Sequence, residues 1–108
     1  MNARDEVRRL RAAAAEAWAA TMGDSTSCAL AKDGRSYPAG KYHEGRVAAL
    51  GEWMRRLTPE ADAAAARQVA RGLAADWAAR MPLGDGANRD WESYRAGGLA
   101  ALGESLPE

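Results

Sequence analysis

Tyr42-His43-Glu44-Gly45-Arg46-Val47-Ala48-Ala49-Leu50-Gly51-Glu52 returns 52 residues later as Tyr94-Arg95-Ala96-Gly97-Gly98-Leu99-Ala100-Ala101-Leu102-Gly103-Glu104. Seven of the eleven positions are identical, and Val47 against Leu99 is a near match. A shorter block recurs in the same order: Trp18-Ala19-Ala20-Thr21-Met22 and Trp77-Ala78-Ala79-Arg80-Met81. Each half therefore reads as a helix closing on W-A-A-x-M, a loop, and a helix opening on Y-x-x-G-x-[VL]-A-A-L-G-E. The expected fold is all-α, a single domain over 1–108 with four helices in two helix-loop-helix units, 3–57 and 58–104. An internal duplication explains two blocks in register. The competing explanation is composition, because alanine matches alanine cheaply.

Alanine fills 27 of the 108 positions, while Phe and Ile are absent and Val occurs three times. So few β-branched and aromatic residues cannot line a sheet sandwich or a barrel, and Ala is the best helix former. Apolar stripes at spacings of three and four set the elements. The first helix is expected over about Ala3 to Met22, with Val7, Leu10, Ala14, Trp18 and Met22 inward. Asn2 caps it and Gly23 stops it. The second is expected over about Lys41 to Leu57, on a stripe of His43, Val47, Leu50, Met54 and Leu57. Thr58-Pro59-Glu60 reads as cap, first helical position and acidic first turn of a third helix, ending before Pro82. A fourth runs from Trp91 to about Gly103, capped by Asp90. The expected core is Leu10, Trp18, Val47, Leu50, Met54, Leu57, Val69, Leu73, Trp77, Leu99 and Leu102, and the four tryptophans read as core.

Gly45, Ala48 and Ala49, like Gly97, Ala100 and Ala101, fall on a side of their helix distinct from the Val47 and Leu50 stripe. Small residues let backbones approach closely. The second and fourth helices are then expected to cross there, about a pseudo-twofold axis. The alternative is that this small side faces water. The loop of the first half is seven residues longer than that of the second. It holds Lys32-Asp33-Gly34 between two short segments, a β-hairpin signal. An insertion that the scaffold does not need is the natural place for function.

Formal net charge is zero, with 15 basic and 15 acidic residues. That excludes a strongly basic nucleic-acid binder and an acidic tail protein. A lone cysteine, Cys28, fits a reducing compartment. Met1 to Glu6 carries charge with no apolar run behind it, and no stretch is apolar enough for a membrane span. The expectation is a cytoplasmic protein without a cofactor. A homodimer would bury more surface than so small a core can alone.

No phosphate-loop, dinucleotide or H-E-x-x-H motif is present, and one His with one Cys makes no standard metal site. The helix pair, with Trp18 in its first helix and Gly40-Lys41-Tyr42 opening its second, is faintly similar to a tetratricopeptide unit. Its spacing departs from that family's 34-residue repeat, and no function is carried over. The densest set of interface-type side chains is Arg35, Tyr37, Lys41, Tyr42, His43, Glu44 and Arg46. We therefore expect a non-enzymatic protein-protein interaction or accessory module, binding a protein partner through the hairpin and the start of the second helix. Two other readings stand beside it. One is a nucleic-acid-binding regulator using Arg4, Arg8 and Arg11 of the first helix. The other is a small enzyme or ligand-binding protein with a cleft at His43.

Overall fold

The structure is a computed structural model, and it describes residues 2–22, 38–80 and 89–103. Among the described residues it is all-α: α1 (Ala3–Met22), α2 (Pro38–Arg56), α3 (Ala63–Ala79) and α4 (Arg89–Leu102). The expected hairpin, Cys28, Arg35 and Tyr37 lie outside the described residues. No described helix is long and apolar enough to cross a membrane.

The bounds of α1 match the expectation. The Asn2 side chain accepts from the Asp5 N–H at 2.9 Å and so satisfies one of the helix's unpaired donors. Its amide also donates to the Pro59 carbonyl at 2.8 Å, pinning the start of α1 to the turn between α2 and α3. The second helix begins three residues earlier than expected, at Pro38, a residue suited to a first turn.

The third helix corrects the sequence reading. Thr58 does not cap it. Thr58 to Ala61 form a turn, with the Ala61 N–H donating to the Thr58 carbonyl at 3.1 Å, and α3 starts at Ala63. Asp62 is the cap: its carboxylate accepts from the Ala65 N–H at 2.8 Å. Two cap signals compete here, and Asp62 stands directly before four alanines, where propagation costs least. Asp90 is likewise inside the first turn of α4, which starts at Arg89.

The buried face of α2 also differs from the expected stripe. Ala49, Leu50 and Trp53 are fully buried, Leu57 nearly so and Gly45 is buried, while His43, Val47 and Met54 are only half-buried. The small side faces inward. Ala49 and Ala101 have no exposed surface, and Gly97 and Gly98 are buried, so the solvent-facing alternative for this side is overturned; Ala48 is half-buried and Ala100 exposed.

The reason is the α2–α4 crossing, the most extensive helix contact of the described fold. A Cβ built on Gly45 would overlap the Tyr94 carbonyl oxygen and stand 2.8 Å from its carbonyl carbon. A Cβ on Gly97 would meet the Tyr42 carbonyl in the same way, also 2.8 Å from the carbon. Each glycine thus seats its helix on the backbone of the other. At this approach Cα–H groups face carbonyl oxygens, a weak but recurrent contact where small residues sit four apart, as Gly45/Ala49 and Gly97/Ala101 do.

Around this crossing the core closes. Trp53, Trp77, Leu50, Leu73 and Val7 are its largest fully buried side chains. Leu10, Val47, Met54, Val69 and Leu99 pack against it half-buried. Trp18 and Trp91, both read as core, are also only half-buried. The Trp53 indole N–H donates to the Ala66 carbonyl at 2.9 Å, so α2 is tied to the first turn of α3 by a satisfied buried donor.

Candidate functional site: a stacked ladder beside the start of α2

Trp77 and Arg80 lie three residues apart at the end of α3, and Trp91 and Tyr94 lie three apart at the start of α4. On a helix that spacing puts side chains on one face. The two helix ends meet, and the four side chains stack. Trp91 and Tyr94 rings lie 5.9 Å apart between centroids and are inclined by 24°; Tyr94 and Trp77 lie 5.3 Å apart at 26°. The Arg80 guanidinium lies over the Trp77 ring, 4.4 Å from its centroid. Offset stacking and a cation over an indole are both attractive arrangements. The fit depends on Gly98, where a Cβ would overlap Cε3 and Cζ3 of the Trp77 ring.

Glu52 of α2 closes the ladder from the side. Its carboxylate accepts from the Trp77 indole N–H at 3.0 Å and from Arg80 Nη2 at 3.0 and 3.2 Å. Burial works to raise the Glu52 carboxyl, but the hydrogen bonds from Arg80 and Trp77 and the charges of Arg80 and Arg56 outweigh it. The group is held below its ordinary value of 4.5. Arg95 donates to the Arg80 carbonyl at 3.2 Å and so satisfies an open carbonyl at the end of α3. The Tyr94 hydroxyl is pushed above its ordinary value of 10.0, by burial first and then by the negative charges of Glu44 and Glu52. Tyr94 therefore stays a neutral phenol near neutral pH.

The Glu52 pairing has a testable pH signature. A folded-state value below the unfolded one contributes stability above pH 4.5, and that contribution is lost as pH falls through the folded value. Urea unfolding of wild type and Glu52→Gln from about pH 3 to pH 7 should show wild type ahead at neutral pH, with the gap closing in acid. A gap independent of pH would mean that the charge on Glu52 is not what stabilises the ladder.

Some of the residues singled out in sequence are gathered at this face. Lys41 and Glu44 form an ion pair at 3.0 Å. Glu44 and Lys41 both bear electrostatically on Tyr94, so the first turns of α2 border the ladder. Tyr42 is half-buried, lends its carbonyl to the Gly97 contact and meets the His43 ring edge-on at 5.8 Å. His43 Nδ1 is buried without a hydrogen-bond partner, and Arg46 is half-buried.

The α1 arginines are dispersed. Arg8 reaches Asp5 at 3.6 Å in an exposed pair, Arg4 buries its Nε, and Arg11 packs beside Arg55 over Gly51. Among the described residues no group of three or more His, Cys, Asp or Glu side chains converges as a metal site would require.

Sequence reasoning missed Glu52, Arg80, Trp91 and Tyr94 as a unit. The signal was the i, i+3 spacing of Trp77/Arg80 and Trp91/Tyr94, all interface-type residues, on either side of residues 81–88. Comparison with known proteins returns no matching family model, no matching curated protein and no matching solved structure.

Proposed function

We propose that this chain is a non-enzymatic protein-protein interaction module. Its docking face is the start of α2 together with the Trp91–Tyr94–Trp77–Arg80 ladder. The observation that carries this reading is the ladder itself. Trp, Tyr and Arg are enriched at binding hot spots, and Trp and Tyr offer large, rigid surfaces at small entropic cost. Here they are stacked in advance, with Trp91, Tyr94 and Arg80 half-buried rather than enclosed. Lys41 and Glu44 supply a polar rim.

The same reading takes the chain as two duplicated helix-loop-helix units. The reciprocal contacts of Gly45 and Gly97 support this, because they join positions paired by the repeat. We take the working compartment to be a reducing one, in keeping with one cysteine.

The test is affinity capture by the tagged full chain from its native host, beside Trp91→Ala and Lys41→Ala variants whose circular dichroism matches wild type. One specific protein should be recovered, and its recovery should fall about tenfold or more with Trp91→Ala. Equal recovery with both variants removes this face. Recovery of background alone removes the interaction reading.

A further inference from the structure

A second surface stands apart from the ladder. On α3, Arg67, Ala70, Arg71 and Ala74 follow the i, i+3, i+4, i+7 pattern of one helix face. Leu99 and Leu102 of α4, with Gly103 just past its end, form the opposite wall, and the fully buried Trp53 contributes to the lining. Between them is an open groove of about 330 Å³.

Among the described residues no carboxylate balances its charge. Among the described residues Arg8, Arg9, Arg56 and Arg80 each reach a carboxylate. Arg67 and Arg71 have no ion-pair partner there, and Arg67 Nη1 is buried with no acceptor. A buried donor without an acceptor is costly, and carboxylate is the group a guanidinium fork accepts best. An apolar lining under two cations one helical turn apart, neither paired with a carboxylate among the described residues, fits an occupant with the complementary pattern.

We propose that this groove binds an acidic amphipathic segment of a partner protein, with Leu-type side chains set between α3 and α4 and carboxylates on Arg67 and Arg71. The site shares none of the ladder residues and stands whether or not the ladder binds anything. An open trough suits a peptide segment, which brings its own apolar surface and its acids in fixed spacing.

Fluorescence anisotropy of the full chain tests it with three labelled peptides of one length: repeated Glu-Glu-Leu-Leu, Glu-Glu-Ser-Ser and Lys-Lys-Leu-Leu units. The first should bind, and the other two should bind about tenfold more weakly or not at all. Arg67→Glu combined with Arg71→Glu should weaken the first peptide about tenfold or more, and Ala74→Trp, which fills the groove, should do the same. Trp91→Ala should leave it unchanged, which separates this site from the ladder. Equal binding of Glu-Glu-Ser-Ser would reduce the effect to charge alone and overturn the proposal. So would loss of binding on Trp91→Ala, or no binding of the first peptide. Sedimentation showing self-association that Ala74→Trp abolishes would give the groove to a second copy, again overturning it.

Discussion

Gly97→Ala is expected to destabilise the fold by about 3 kcal/mol, a large share of the 5–15 kcal/mol typical of a domain. The added methyl has no room. It would overlap the Tyr42 carbonyl, and the atoms it meets are backbone, which cannot rotate aside. Relief requires α2 and α4 to separate, and that loosens Ala49, Leu50, Ala101 and Leu102 together. The helical preference of Ala over Gly, about 1 kcal/mol, offsets only part of this.

Gly72→Ala in α3 is the matched control. Nothing lies within 4 Å of the new methyl, and the same preference should there appear as a gain of about 1 kcal/mol. Urea unfolding should thus place two Gly→Ala variants of one protein about 4 kcal/mol apart at unchanged m. Equal midpoints would mean that the crossing is looser than described.

Trp53→Ala should cost about 4 kcal/mol. The ring is fully buried, and removing it leaves a cavity that the backbone-to-backbone crossing of α2 and α4 cannot collapse. Two effects separate through Trp53→Phe. Phenylalanine restores most of the apolar contact and gives up the indole hydrogen bond to Ala66, worth about 1 kcal/mol, so it should recover more than half the loss. Chemical denaturation of the two variants would show it. If Phe were as damaging as Ala, the bond to α3 rather than the filled volume would be the dominant contribution.

Trp53 also marks what the sequence could and could not convey. Its helix carries two regular stripes. One runs through His43, Val47, Leu50, Met54 and Leu57, and the other through Gly45, Ala49 and Trp53. Periodicity alone favours the more apolar first stripe. The choice is made by tertiary contact: Gly45 and Ala49 let α4 approach, and the approach turns Trp53 inward.

The limits of α1 were legible because Asn2, a clean stripe and Gly23 agree. The start of α3 was not, because Thr58 and Asp62 offer two caps and sequence does not rank them. The crossing itself was legible from the repeat, since Gly45 and Gly97 recur at one place in it. The ladder was not, because it joins residues from three helices, and Glu52 was hidden within the repeated A-A-L-G-E. Of the sites weighed in sequence, Lys41 and Glu44 border the ladder, while Arg67 and Arg71 of the groove drew no attention in an arginine-rich chain.

The reciprocity of Gly45 and Gly97 bears on how this protein can evolve. Both glycines guard one gap, so the energetic effects of losing them are not independent. Once either position has gained a methyl and the helices have parted, a methyl at the other meets less resistance. The double variant should therefore fall short of the sum of the singles. Such a pair behaves as one locus under selection: a lineage that keeps the crossing keeps both glycines, and one that loses either has little left to hold the second in place.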